Sequence, residues 1–96
     1  MISTLKSVRL RWLSPAERGR KAPPQGSRYF ATIRFDAAPF ADEEWSVRLD
    51  DLQSSGGGSE AVVSFVSDRA PLDALQPGVR FQLFEGRWPV AEGFVV

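Results

Sequence analysis

Apolar residues in this chain recur with a period of two rather than three to four, and that alternation most restricts what the chain can fold into. Val8, Leu10 and Trp12 alternate with Arg9 and Arg11, while Tyr29, Ala31, Ile33 and Phe35 alternate with Arg28, Thr32 and Arg34. Trp45, Val47 and Leu49 do the same with Glu44, Ser46, Arg48 and Asp50, as do Val79, Phe81 and Leu83 with Arg80 and Gln82. Successive side chains of a strand point to opposite faces, so each run reads as a half-buried strand with one wet face. Phe30 is the misfit, an apolar residue on the polar side of its run. The stretch from Ala61 to Ser67 is apolar on both faces through Val62, Val63, Phe65 and Val66, as expected of a central or covered strand. A last run extends from Trp88 to Val96, and Glu85-Gly86-Arg87 before it suits a tight hairpin in which Gly86 takes a positive φ.

Turn residues separate these runs. Ser14 to Ser27 carries three prolines and two glycines among charged residues and reads as a long ordered loop, and Ala37 to Glu43 is a shorter one around Pro39. Ser54-Ser55-Gly56-Gly57-Gly58-Ser59 reads as a flexible hairpin tip without packing capacity. A phosphate-cradling loop needs a helix N-terminus and usually a following lysine, and neither accompanies these glycines. Asp68 to Gly78, with Pro71 and Pro77-Gly78, is another loop with room for one helical turn around Leu72 to Leu75. Six short strands in a chain of 96 residues predict a single all-β domain over 1–96. Closure leaves no exposed sheet edge, so the expected architecture is a small, closed, six-stranded antiparallel β-barrel.

The chain has no cysteine and no histidine, which removes disulfides, thiolate metal sites, cysteine nucleophiles and the commonest general base together. No cofactor and no metal are expected. The remaining candidates for chemistry are the clustered carboxylates Asp42, Glu43, Asp50 and Asp51, which could hold magnesium or serve as an acid/base pair. Clusters of this kind ordinarily lie in solvated loops, and the chain is not expected to be an enzyme. The start lacks the pattern of a secretion signal, and no apolar run nears the roughly 18 residues of a membrane span, so a soluble cytoplasmic protein without membrane contact is expected.

Formal net charge is zero, but its distribution is uneven. Lys6, Arg9, Arg11, Arg18, Arg20, Lys21, Arg28 and Arg34 face only Glu17 in the first 34 residues, whereas Asp42, Glu43, Glu44, Asp50 and Asp51 follow Phe35. Either the basic half forms a surface for an anionic partner such as RNA, or a closed sheet brings the halves together and pairs their charges across neighbouring strands.

Two stretches resemble a known family. Leu13-Ser14-Pro15-Ala16-Glu17-Arg18-Gly19-Arg20-Lys21-Ala22-Pro23 is similar to the opening of the third, C-terminal β-barrel domain of elongation factor Tu, whose pattern reads roughly Leu-Ser-x-x-Glu-x-Gly-Arg-x-x-Pro. Val79-Arg80-Phe81-Gln82-Leu83-Phe84-Glu85-Gly86, followed by Val90 and Gly93, resembles that domain's closing hairpin. The resemblance implies a stand-alone translation-factor-like barrel. It does not carry the family's GTP binding, since the chain has no Gly-x-x-x-x-Gly-Lys sequence. Arg87-Trp88-Pro89 departs from the family where it meets tRNA, and an exposed tryptophan there suits a protein-binding hot spot. The expected role is therefore a non-catalytic protein-binding module, with an RNA-binding or translation-associated module as the alternative. Candidate binding residues are Arg20, Lys21, Arg28, Arg34, Arg80, Arg87 and Trp88. The protein-binding reading expects an exposed apolar patch including Trp12, Trp45 or Trp88; the RNA reading expects Arg20, Lys21, Arg28 and Arg34 on one face.

Overall fold

In the computed structural model, which describes residues 5–13, 28–41, 43–55 and 58–96, each alternating run becomes a strand. The elements are β1 (Lys6–Trp12), β2 (Arg28–Phe35), β3 (Glu44–Ser55), β4 (Gly58–Phe65), β5 (Arg80–Glu85) and β6 (Trp88–Val95). One 3-10 turn, Leu72–Ala74, occupies the place expected for a helical turn. The strands close into a barrel in the order β1-β4-β3-β2-β5-β6, and every neighbouring pair is antiparallel. The fold expected from the alternation is thus the fold observed.

Strand order places β1 opposite β2 and β4 opposite β5 around the ring. Leu13, which follows β1, and Arg28, the first residue of β2, stand at one end of the barrel, the upper mouth, with the β5–β6 turn. The β4–β5 connection crosses the other end, the lower mouth. It buries Ala70, Ala74 and Leu75 as a lid. Backbone bonds from Gly78 N to Val95 O (2.8 Å) and from Val95 N to Val79 O (3.0 Å) fasten that lid to β6. Gly78 turns with φ +88°, a conformation that costs a glycine little and a side-chain residue much.

Inward-facing residues fill the lumen: Val8, Ile33, Val47, Leu49, Val63, Phe81, Leu83 and Val95 are all buried to within 1%. Aromatic rings finish each end. Phe35 meets Phe40 and Phe65 edge-on at 6.2 and 6.5 Å at the lower mouth, and Trp12 meets Tyr29 at 5.8 Å at the upper one. Edge-to-face contacts of this kind add to plain area burial because the positive edge of one ring faces the negative face of the other.

Two irregularities shape the barrel. β3 carries a register shift between Asp50 and Gln53, with Asp51 at φ +55°, and beyond it continues to Ser55. Ser54 pairs with Ser59 and Ser55 with Gly58, so the turn is narrower than the expected six-residue tip; its centre, residues 56–57, lies outside the described residues. The expectation that this segment supports no packing is corrected at Ser59, which is buried and whose Oγ accepts the Trp12 indole N–H at 2.7 Å. A small hydroxyl residue leaves room for the indole and satisfies its only donor. The second shift lies between Leu83 and Phe84, where β6 gains one residue. It accommodates Pro89, which has no N–H for the ladder, and lets Val90 and Ala91 both turn inward. The double apolarity of β4 needs no covering layer, since closure gives it a neighbour on each side; Val62 is half-buried and Val66 exposed.

Gly86 adopts the expected positive φ, +62°, between the paired residues Glu85 and Trp88. Gly93 is the glycine on which closure depends. It pairs with Leu10 on one side and Phe81 on the other, and a Cβ there would overlap the Arg9 carbonyl oxygen and come within 2.8 Å of Leu10 Cδ2. The Gly93→Ala substitution is expected to destabilise the barrel by about 3 kcal/mol, the upper end of overpacking costs, because backbone and not a side-chain tip must yield. A urea midpoint within error of the parent's is the outcome that contradicts this account of closure.

Candidate functional site

Register sets the charge on the barrel's outer skin. Arg9 is the direct cross-strand partner of Glu60, Arg11 of Glu92, Arg28 of Asp50 and Arg34 of Glu44. Each couple forms an ion pair, with nitrogen–oxygen distances of 3.1 Å for Arg9–Glu60, 2.8 Å for Arg11–Glu92, 3.8 Å for Arg28–Asp50 and 3.6 Å for Arg34–Glu44. Arg48 adds a bond of 2.9 Å to Asp50. These four cross-strand arginines precede Phe35 in the chain and their carboxylates follow it, so antiparallel pairing turns a lopsided sequence into a balanced surface. The pairs of Arg9, Arg11 and Arg34 are solvent-exposed, and each contributes no more than about 1 kcal/mol; Asp50 is half-buried between its two arginines.

The candidate binding residues that the structure describes do not gather in one place. Arg20 and Lys21 lie outside the described residues. Arg28 and Arg34 share the outer face of β2 but sit at its two ends, roughly 20 Å apart at the usual rise per residue. Arg34 also lies over the Phe84 ring, 5.5 Å from its centroid. Arg80 begins β5 at the lower mouth, diagonal to Arg34 through the Arg34–Gln82 pair. Arg87 and Trp88 stand at the upper mouth, at and just after the β5–β6 turn.

Aromatic surface is concentrated at that upper mouth. Tyr29 Oη donates to Glu85 Oε2, which ties β2 to the end of β5 and holds Tyr29 edge-on to Trp12. Trp88, the cross-strand partner of Glu85, remains 51% exposed. Phe30, two residues into β2, is 56% exposed. Of the three tryptophans, Trp12 and Trp45 pack partly buried against the core, and Trp88 is left to supply apolar surface.

Of the carboxylates considered for catalysis, Glu43 and Asp50 are engaged by neighbouring side chains. Glu43 accepts the Trp45 indole N–H at 3.0 Å, Glu44 pairs with Arg34, and Asp50 with Arg28 and Arg48. Asp51 is exposed on the β3 bulge, and Asp42 lies outside the described residues. Sequence reasoning passed over Phe94, which is 39% exposed and is the cross-strand partner of both Arg9 and Arg80. Its one signal was position, next to a glycine at the end of a strand whose inward residues are Ala91 and Val95.

The chain matches no known protein-family model and no curated protein. No described helix is long and apolar enough to cross a membrane.

If the ion pairs act as surface charge balance, a double-mutant cycle on Arg9 and Glu60 should give a coupling below about 1 kcal/mol that fades between 0.1 and 1 M salt. A larger, salt-insensitive coupling in denaturant titrations would show that the pair is an architectural element instead.

Proposed function

We propose that this chain is a non-catalytic protein-binding module, a barrel akin to the third domain of elongation factor Tu, and that it engages its partner through the upper mouth. The observation that carries this reading is the pairing of two exposed aromatic side chains, Phe30 and Trp88, with a skin whose arginines are largely balanced by carboxylates. Tryptophan flanked by arginine is the composition of protein-binding hot spots, and Arg87 is exposed in the turn beside Trp88. A polyanion gains most from unopposed cations, and Arg28 and Arg34 already have carboxylate neighbours.

Closure also shapes the manner of binding. Every described strand has a neighbour on each side, which leaves no full strand edge to which a partner could add a strand and favours recognition through side chains. The kinship to the translation factor draws support from the closed six-stranded barrel and from the tight Glu85-Gly86 turn. Gly93, present in the motif that resembles the family's closing hairpin, has a physical role in this barrel, which accounts for its presence without any shared activity.

A photo-crosslinker at position 88 should trap a defined protein from native cytoplasm, and combining Phe30→Ser with Trp88→Ala should weaken capture by about thirtyfold while leaving the melting curve close to the parent's. In parallel, tRNA and an unrelated RNA should give no fluorescence change at low salt. RNA binding that falls steeply with added salt, or undiminished capture by the double variant, would overturn the reading.

A further inference from the structure

Two depressions that include neither Phe30 nor Trp88 meet at Arg80 and Asp36. A groove of about 420 Å³ crosses the outer face of β4, β1, β6 and β5, walled by Arg9, Glu60, Arg11, Glu92, Phe94 and Arg80. A second pocket of about 420 Å³, chiefly apolar, opens at the lower mouth among Phe35, Ala38, Pro39, Phe40, Ala74 and Val79. Both volumes fall in the range of roughly 300–1,000 Å³ typical of binding clefts. Arg80 and Asp36 belong to both. The bond from Asp36 N to Arg80 O, 3.1 Å, fixes these two residues side by side.

Register explains why the groove is continuous. Asp36, just past the end of β2, and Arg80, Phe94, Arg9 and Glu60 on β5, β6, β1 and β4 form one row, each beside the next. Within it Arg9 is neutralised by Glu60, and Arg11 in the neighbouring row by Glu92. Arg80 makes no ion pair among the described residues, and its neighbour Phe94 offers an exposed ring. Thus a guanidinium with no ion pair among the described residues stands between an apolar pocket and an aromatic surface.

We infer that this groove binds an extended peptide of a partner protein, in which an apolar side chain enters the lower pocket and a carboxylate two positions along reaches Arg80. In an extended chain, side chains two residues apart leave the same face about 7 Å from each other, which suits a pocket and a cation that share a wall. The guanidinium fork takes a carboxylate in two parallel bonds, and Asp36 is placed to accept a peptide N–H. The same groove offers a nucleic acid no excess of positive charge: Glu60 and Glu92 offset Arg9 and Arg11, and Asp36 stands beside Arg80, so a run of phosphates would find no row of unopposed cations. This inference rests on the binding-module reading but uses a surface that includes none of Phe30, Arg87 and Trp88.

The test is an amide-resolved NMR titration of the full chain with acetyl-Ser-Leu-Ser-Glu-Ser-amide, with the same peptide carrying lysine for glutamate, and with a single-stranded RNA. The glutamate peptide should shift the amides of Asp36, Arg80 and Phe94, and the lysine peptide should bind about tenfold more weakly, the loss expected for one charge-assisted contact. Arg80→Glu should reverse that order. Arg80 is exposed, so the variant should melt as the parent does, and Arg80→Ala, which should abolish the preference without reversing it, provides a second check. Equal binding of the two peptides, an unaltered preference in Arg80→Glu, or tighter binding of the RNA at these amides would overturn the inference. Shifts confined to Phe30, Arg87 and Trp88 would overturn it as well while leaving the upper-mouth reading standing.

Discussion

Closure of the sheet depends on the first strand, which is held between β4 and β6. On one side β1 pairs from Lys6 to Leu10 with β4, and on the other from Val8 to Trp12 with β6, so the two ladders overlap only in part. That stagger is what a tilted strand in a barrel requires. It brings β1 against Gly93, the one residue type without a side chain to collide with the Arg9 backbone. Given this joint, every other strand has two neighbours, the lumen is sealed from water, and no edge is left for aggregation or strand exchange.

Sealing the lumen divides the side chains into two populations with different work. Inward residues are almost all aliphatic or aromatic, and the few polar atoms that reach the interior are satisfied in place, as Ser59 Oγ is by the Trp12 indole. Outward residues face one another across strands, where opposite charges in register are mildly favourable and like charges are not. The surface that results carries little net field. Recognition by such a surface depends on shape and exposed apolar groups more than on long-range attraction.

How much of this was legible differs from element to element. The strands could be read because half-burial imposes an alternation that survives in one dimension, and Trp45, Val47 and Leu49 display it without exception. Phe30, the residue that broke the alternation, proved to be exposed, so the irregularity marked surface and not core. The extent of β3 beyond Asp50 was hidden because a bulge shifts the register and erases the pattern locally. Phe94 escaped notice because an exposed aromatic at a strand's end looks, in sequence, like another core residue.

Period, turn chemistry and the absence of cysteine and histidine were enough to determine an all-β barrel without thiol or imidazole chemistry, since these depend on local geometry and residue type alone. Which arginine faces which carboxylate was decided only by the tertiary structure. The charge halves of the chain are far apart in sequence, and whether they form separate patches or cancel depends on strand order and register, to which no local pattern gives access. The same holds for Arg80: that it makes no ion pair among the described residues follows from the row that closure places it in, between Asp36 and Phe94, and not from anything in its own neighbourhood of the chain.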